Sequence, residues 1–313
     1  MDTLLLAFST VFPMLAYMLI GMGIKRLSWL SERSLKELNG LVFKVLLPAS
    51  IFNNIYKSEF GNINPGPVLL YAVLALLAVT AIAWAFYART EPLRRRRSVL
   101  IQNAFRSNFV LFGLPLSQLL MQGRTSNGIT EILIAVIVPI FNILSVFVLQ
   151  YYGEEKADFK SVLTGIAKNP LIIAAVAGLL FKATGLSLPK PVTVPLGGLA
   201  GAATPLALIV LGGQFSFKRS RAFVPQLIMG VSHRLLITPA LALGGAVLLG
   251  FRGEVLIAYL SMFASPVAVA SYTMSQQMNA DHELAGQLLV YTSLLSSVTL
   301  FFIIALFTHF AWI

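Results

Sequence analysis

The stretch NAFRSNFVLFGLPLSQLLMQG, residues 103–123, has the length and apolar character of a membrane-spanning helix. It nevertheless contains Arg106 and Asn108 near its start and Pro115 in its middle. A charged side chain is costly in hydrocarbon, and a proline removes a helical hydrogen bond and kinks the helix. Non-helical backbone is tolerated at membrane depth only where it is buried in protein or lines a cavity. The stretch therefore predicts an interrupted helix inside a membrane protein, with its polar residues facing a site.

Long apolar runs recur along the whole chain. Of the 313 residues, 57% are hydrophobic and 11% are charged, and the mean hydropathy is +0.82. Because about 20 apolar residues span a bilayer as a helix, the fold class is an all-α polytopic membrane protein. The chain has no Cys, and its three His stand at no metal-ligand spacing, so we expect no metal site and no cofactor. The net charge of +11 comes mostly from basic residues between the apolar runs, which indicates membrane topology rather than nucleic-acid binding.

Ten membrane spans are predicted, at residues 4–24, 38–56, 66–88, 98–120, 129–150, 163–183, 193–213, 225–249, 254–277 and 285–309. Fifteen Lys and Arg residues are assigned to the odd-numbered loops and the span ends beside them, and five to the even-numbered loops and their span ends, so the odd loops are predicted to be cytoplasmic. We therefore expect a multi-pass cell (inner) membrane protein with both termini outside the cytoplasm. The first apolar run is not expected to be a cleavable signal peptide, because its basic residues follow the run instead of preceding it.

The chain contains an internal repeat. Four identities recur at a spacing of 157 residues, namely Pro13 with Pro170, Gly21 with Gly178, Lys25 with Lys182, and Pro48 with Pro205. Five predicted spans fall in each half, residues 1–156 and 157–313, and an odd number of spans inverts the second half. Inverted repeats of this kind are common among secondary transporters, which bind substrate near the membrane midplane.

The same spacing relates predicted span 4 to predicted span 9. It aligns Asn108 with Ser265, which precedes Pro266, so both spans should be interrupted at the same depth. The N-terminus of a half-helix has roughly half a positive charge and binds anions readily. Two interrupted spans that meet at mid-depth therefore predict an anion site.

Five stretches resemble the auxin efflux carrier family, of the bile/arsenite/riboflavin transporter-like superfamily. They are LNGLVFKVLLPASIF (38–52), FRSNFVLFGLPL (105–116), NPLIIAAVAGLL (169–180), TPLALIVLGGQF (204–215) and SPVAVASYTMSQQMNADHELAGQLLVYTSLLSSVTL (265–300). The family includes plant auxin carriers and bacterial permeases for malonate-like acids. The stretches span nearly the full chain.

The resemblance implies a secondary transporter with ten helices in two inverted halves. Spans 1, 2, 6 and 7 would form a scaffold that makes a homodimer, and spans 3–5 and 8–10 a transport domain that moves as an elevator. Substrate would bind where spans 4 and 9 cross, at Ser107–Asn108 and Pro266–Val267. Two features depart from the plant members: Ser107 stands where they have a proline, and the central loop from Tyr151 to Val162 is short. Regulation housed in a long central loop is therefore not expected.

The candidate substrate-binding residues are Asn108, Ser107, Arg106, Ser265, Pro266, Val267 and Asn53, and the helix breaks or kinks are assigned to Pro115 and Pro266. Arg106 could attract a carboxylate, or it could snorkel to a headgroup or pair with backbone carbonyls. Asn108 has an amide that can both donate and accept.

Other polar residues in the predicted spans leave alternatives open. Asn53 and Asn54 could line the scaffold face opposite the substrate or cap the end of span 2, and Gln214 has the same two interpretations in span 7. For His233 and Arg234 we predict an anchor at the membrane interface. Small residues at 197 and 201 permit close helix contact, either in a dimer or within one protomer.

The twelve acidic residues lie outside the middle of every predicted span. Many proton-coupled carriers use buried carboxylates, so an anionic substrate fits this interior better than a cationic one. We expect uniport, or coupling that needs no membrane-embedded carboxylate. The alternatives are a sodium-coupled symporter of the bile-acid type, a polytopic membrane enzyme and a passive channel. An enzyme is disfavoured because the chain has no Cys and no HExxH motif, and a channel because interrupted repeats favour alternating access.

Overall fold

A computed structural model describes residues 2–57, 66–121, 128–153, 164, 167–215 and 220–313. These ranges are helical, and the only β-type pairing within them is an isolated bridge. The helices are α1 (Asp2–Arg26), α2 (Glu32–Lys57), α3 (Gly66–Thr90), α4 (Arg94–Phe105), α5 (109–120), α6 (Ile129–Tyr151), α7 (Pro170–Ala183), α8 (Lys190–Gln214), α9 (Arg221–Leu248), α10 (Gly253–Phe263), α11 (Val269–Gln277) and α12 (His282–His309). The central loop and the boundary between residues 156 and 157 lie outside the described residues, except for the three residues 151–153 at the loop's start.

Six of these helices are long and apolar enough to cross a membrane. They are α2, α3, α8, α9, α12 and the part of α6 from Ile132 to Tyr151. Two shorter apolar helices, α7 and α10, accompany them. Large apolar side chains such as Leu70, Leu180 and Phe302 are more than 60% exposed in the isolated chain, as expected of surfaces that face lipid. The all-α, multi-pass character predicted from composition is therefore confirmed.

The starts of two helices follow from local capping. Asn169 precedes α7 and accepts a hydrogen bond from the Leu171 N–H, and Pro170 begins the helix with its fixed φ angle. For this reason α7 begins at residue 170 rather than at the predicted 163. The Asp281 side chain accepts from the Leu284 N–H at the start of α12, three residues earlier than the predicted span.

Glycines allow α1 and α8 to pack at main-chain distance. A Cβ atom on Gly21 would overlap the carbonyl oxygen of Ile209, and one on Gly212 would overlap the carbonyl of Met18. By contrast, nothing lies within 4 Å of a Cβ built on Gly197 or Gly201. The predicted alternative of tight packing within one protomer is therefore wrong for those two glycines. The close contact of α8 with α1 is made at Gly212, nearer the C-terminus of α8.

Basic residues predicted to be a cytoplasmic loop begin a helix instead. Arg94 is the first residue of α4, and Arg96 pairs with Asp281 at an Nε–Oδ2 distance of 3.0 Å. The Arg97 guanidinium donates to the carbonyl of Glu91 at 2.7 and 2.9 Å. These contacts fix the start of α4 against α12 and thereby help to position the segment that follows α4.

Candidate functional site: a crossing of two interrupted helices

Two non-helical segments meet inside the bundle. The chain leaves the helical conformation at 106–108, between α4 and α5, and at 264–268, between α10 and α11. Ser107 and Val267 form an antiparallel bridge. The Asn108 N–H donates to the Pro266 carbonyl at 2.8 Å, and the Ala268 N–H donates to the Arg106 carbonyl at 3.2 Å. Each segment thus supplies partners for backbone groups that the other break leaves free, which is how a membrane protein can bury them.

Four helix ends converge on this crossing with opposite polarity. Helices α4 and α10 reach it with their C-termini, where exposed carbonyls give roughly half a negative charge each. Helices α5 and α11 leave it with their N-termini, where exposed N–H groups give roughly half a positive charge each. The crossing therefore has an electronegative side and an electropositive side.

Arg234 of α9 occupies the electronegative side. It is 0% exposed, and its guanidinium donates to main-chain carbonyls at both helix ends. The distances are 2.7 and 2.8 Å to Ser265, 3.2 Å to Phe263, 3.3 Å to Met262 and 3.0 Å to Ala104. Thr238, one turn further along α9, donates its hydroxyl to the same Ala104 carbonyl at 2.9 Å.

The prediction of an interfacial anchor at His233 and Arg234 is wrong. His233 is 2% exposed and stacks on the Tyr87 ring with centroids 5.4 Å apart. The sequence did contain one usable signal, because Arg234 is a cation inside a predicted span.

Arg106 is held by α6. It is 5% exposed, and its Nη1 atom donates to the Phe141 carbonyl at 3.2 Å and to the Ser145 hydroxyl at 2.8 Å. Its Nη2 atom donates to Asn142 Oδ1 at 2.7 Å. Pairing with a carbonyl was one of the predicted alternatives for Arg106. The same residue also lines the cavity described next, so its positive charge acts on that cavity as well.

A cavity of about 790 Å³ lies between the crossing and helices α1, α2 and α8. Most of its wall is apolar, with Leu47, Ile51, Phe109 and Leu208 among the lining residues. The side chains with polar groups in the wall are Tyr17, Ser50, Asn53, Asn54, Arg106, Ser107, Asn108, Asn142 and Thr204. None of the described lining residues is an Asp or a Glu. The charged side chain among them is the cation of Arg106.

Several polar atoms beside this cavity have no hydrogen-bond partner among the described residues. They are Nδ2 of Asn108, Nδ2 of Asn142, Nε of Arg106, the hydroxyl of Ser107 and, from α2, Oδ1 of Asn53. All five side chains are less than 9% exposed. A buried donor or acceptor without a partner costs about 1–3 kcal/mol. Four of these five groups can donate, so the unsatisfied groups are mainly hydrogen-bond donors.

The electropositive helix ends open on the same cavity. Phe109 and Val110 at the start of α5, and Val269 and Ala270 at the start of α11, are lining residues. The first N–H groups of a helix have no partner within that helix and favour an anion. Amide donors, a guanidinium and two helix N-termini thus act on one space.

The candidate residues divide into two groups. Arg106, Ser107, Asn108 and Asn53 line the cavity, as does Asn54. The other three, Ser265, Pro266 and Val267, belong to the crossing but not to the cavity wall. Ser265 supplies a carbonyl to Arg234, Pro266 supplies one to the Asn108 N–H, and the Val267 N–H donates to Thr292 Oγ1 at 3.3 Å.

The irregularity near Pro115 lies before that residue. A π-helical turn covers Phe109–Gly113, with the Gly113 N–H donating to the Asn108 carbonyl at 3.1 Å, and the backbone is helical through Pro115. Asn142 was not among the predicted site residues. Its only sequence signal was an amide three residues after Pro139 in an apolar span.

Gln214 connects the end of α8 to a neighbouring helix, away from the cavity at the crossing. Its Oε1 atom accepts from the Tyr272 hydroxyl and from Gln276 Nε2, both at 2.5 Å, which ties α8 to α11. Beyond it lies a smaller cavity of about 390 Å³ that Lys25 and Lys36 help to line. Gln214 therefore lines this smaller cavity and not the cavity at the crossing, and its two predicted interpretations stay predictions.

Apolar membrane helices, an interrupted crossing and a central cavity are features of a membrane transporter. The family model for membrane transport proteins matches residues 6–304 of the chain. The chain therefore belongs to the membrane transport protein family, and the resemblance to auxin efflux carriers is confirmed. It is also 26% identical over 300 residues to an uncharacterized transporter of Methanothermobacter thermautotrophicus (strain Delta H), covering 93% of this chain and 95% of the relative. Membership of a transporter family is consistent with the expectation that the protein is not an enzyme.

Proposed function

We propose that the protein is a secondary transporter that moves a small organic anion, a mono- or dicarboxylate such as malonate, malate or an auxin-like acid. One observation supports this most strongly. The cavity at the crossing combines unpaired donors on Asn108, Asn142 and Arg106 with two helix N-termini, and its described wall has no acidic side chain. A carboxylate would satisfy these donors and balance the positive charge. The apolar remainder of the wall would accept the body of an organic acid.

We further propose that transport proceeds by alternating access of the elevator type, in a chain of ten spans arranged as two inverted halves. Helices α1, α2, α7 and α8 would form the scaffold and a homodimer contact, and the helices that bear the crossing would move. The tight glycine contact between α1 and α8 supports a rigid scaffold, because neither helix can shift without the other. The cavity between this pair and the crossing supports a substrate position at the boundary between the two parts.

The hydrogen bonds from Tyr272 and Gln276 to Gln214 support closure on the side of Lys25 and Lys36. In the proposed topology this side is cytoplasmic and both termini face outside. Breaking these bonds would join the two cavities and open a path to the other side. The cycle would then need no membrane-embedded carboxylate, and flux would follow the gradient of the anion or of an ion coupled elsewhere.

The direct test is uptake of radiolabelled carboxylates into liposomes that contain the purified protein. The wild type should take up at least one carboxylate, and Asn108→Ala should reduce that uptake about tenfold or more while retaining a normal melting temperature, because Nδ2 of Asn108 has no hydrogen-bond partner in the described part of the chain. Thr80→Ala is the matched control, since Thr80 is buried in α3 and its hydroxyl donates to the Leu76 carbonyl of the same helix. The proposal fails if Asn108→Ala transports every carboxylate as the wild type does.

A sodium arm of the same assay separates the main alternative. Replacing sodium by choline at constant ionic strength should leave uptake unchanged. Uptake that requires sodium would instead favour the symporter of the bile-acid type.

A further inference from the structure

The electronegative side of the crossing contains a cation that belongs to the protein. The guanidinium of Arg234 makes five hydrogen bonds to four main-chain carbonyls, three at the end of α10 and beyond it and one at the end of α4. All four acceptors are carbonyls, so within the described ranges the partners of this buried arginine are neutral groups rather than a carboxylate. An unpaired charge in such a place would be strongly unfavourable without some compensating charge.

The compensating charge comes from the helix ends themselves. Two helix C-termini contribute roughly half a negative charge each, which together equal about one unit. One guanidinium therefore neutralises two C-termini. Clusters of unwound carbonyls at half-helix C-termini are also the places where membrane carriers coordinate Na⁺.

We propose that Arg234 is a built-in counter-cation, whose guanidinium fills the position between the C-termini of α4 and α10 that a monovalent metal ion could otherwise occupy. The C-terminal side of the crossing is then neutral with no ion bound. The positive charge of Arg106 and of the α5 and α11 N-termini remains uncompensated for the cavity. Removing the guanidinium should create a new site that accepts a small cation from solution.

The test measures the melting temperature of purified Arg234→Gly in detergent, with and without methylguanidinium at about 20 mM. Its matched probe is N-methylurea, which has a similar planar shape and hydrogen-bond donors but no charge. We expect the variant to melt at least about 5 °C below the wild type. Methylguanidinium should restore at least half of that loss, N-methylurea should restore almost none, and the wild type should respond to neither.

Arg252→Gly is the control variant. Arg252 also donates to carbonyls beyond a helix end, those of Val247 and Phe251 at 2.9 and 2.8 Å, but it is exposed. Water can hydrogen-bond the carbonyls that an exposed arginine leaves, so this variant should melt close to the wild type and should not be stabilised by methylguanidinium.

Inorganic cations give a second readout that a merely structural role would not affect. Sodium or potassium chloride should stabilise Arg234→Gly more than choline chloride at the same ionic strength, because carbonyl oxygens coordinate these ions directly. The wild type should show no such difference.

The proposal is overturned if Arg234→Gly melts within about 1 °C of the wild type. It is also overturned if methylguanidinium and N-methylurea restore the melting temperature equally. The third contradicting result is that neither of these compounds nor any metal ion restores it. If Arg234→Gly yields no folded protein, Arg234→Lys and Arg234→Met decide instead. The lysine variant keeps the cation and should give a larger monodisperse fraction by size-exclusion chromatography. Equal fractions for lysine and methionine would contradict a role for charge. None of these readouts depends on which substrate the protein transports.

Discussion

The two sides of the helix crossing arise from the same pair of breaks but differ in how their polar groups are satisfied. On the C-terminal side, the carbonyls of Ala104 and Ser265 each receive a hydrogen bond from Arg234. On the N-terminal side, Ser107 and Asn108 each retain a buried polar atom with no partner among the described residues, and both line a cavity. Arg234 thus satisfies main-chain carbonyls on the C-terminal side, whereas on the N-terminal side polar groups remain unpaired among the described residues.

This difference indicates which side of the crossing takes a ligand. A buried polar group without a partner destabilises the folded state, so those that lie beside a cavity are the groups that a bound ligand could stabilise. The C-terminal side offers main-chain carbonyls, and Arg234 already bonds those of Ala104 and Ser265. The N-terminal side offers donors, and Arg106 adds a positive charge to them. In this account the C-terminal side determines stability and the N-terminal side determines binding.

The largest expected effect comes from a substitution that separates the two breaks. A Cβ on Gly113 would lie 2.5 Å from the Ser261 carbonyl oxygen and 2.7 Å from the Phe109 ring, so Gly113→Ala should push α5 away from α10. Overpacking of this kind costs about 1–3 kcal/mol or more. We expect a lower melting temperature together with loss of anion binding, because both sides of the crossing depend on this contact.

Gly244→Ala is the control for that experiment. Gly244 lies within α9, and nothing stands within 4 Å of a Cβ built on it. The alanine should be neutral or should stabilise the helix by up to about 1 kcal/mol. If Gly113→Ala binds and melts as Gly244→Ala does, the contact between α5 and α10 does not maintain the crossing.

The next effect should separate binding from stability. Asn108→Asp keeps the shape of the side chain but places a negative charge at the two helix N-termini. Like charges a few ångströms apart repel by several kcal/mol at an effective dielectric constant of about 20. We therefore expect carboxylate affinity, measured by titration calorimetry, to fall at least about tenfold with little change in melting temperature.

Asn169→Asp provides the same amide-to-carboxylate exchange at a residue that does not itself line either cavity. Asn169 caps α7 by accepting from the Leu171 N–H, a role that Asp also performs. Its carboxylate affinity should equal that of the wild type. Equal losses in both variants would mean that net charge, and not the position of Asn108, controls binding.

The smallest effect should appear on the C-terminal side. Thr238→Val removes the hydroxyl that donates to the Ala104 carbonyl while preserving side-chain shape. Because Arg234 still bonds that carbonyl, the free energy of unfolding should fall by only about 1 kcal/mol. The dissociation constant for a carboxylate should not change. A clear loss of affinity without a loss of stability would contradict the division between the two sides.

The fold class and part of the site could be predicted from the sequence, because charged side chains, amide side chains and helix-breaking prolines raise the free energy of a helix in lipid whichever face of the helix they occupy. Arg106 and Asn108 stand out in an apolar run, and both lie in the cavity wall. Pro266 has no N–H and lies in a non-helical segment at the crossing. The ten-span arrangement in two inverted halves stays a prediction.

The rest of the site depends on which face of each helix packs inward, and no local pattern determines that. Arg234 was assigned to the interface because it is near the start of a predicted span, whereas α9 buries it completely. The small residues at Gly197 and Gly201 resembled a packing motif, yet Gly21 and Gly212 make the close contact. Asn142 was missed because its role comes from Arg106, which reaches it across the gap between two helices.

The most direct test of the central claim is calorimetric titration of the purified protein with carboxylic acids and their matched amides, such as malonate with malonamide and indole-3-acetate with indole-3-acetamide. Each pair keeps shape and size and differs in charge at the group that would face the α5 and α11 N-termini. The account predicts that an acid binds with a stoichiometry of about one per chain, at least about tenfold more tightly than its amide, a difference of about 1.4 kcal/mol. An amide that binds as tightly as its acid would contradict it.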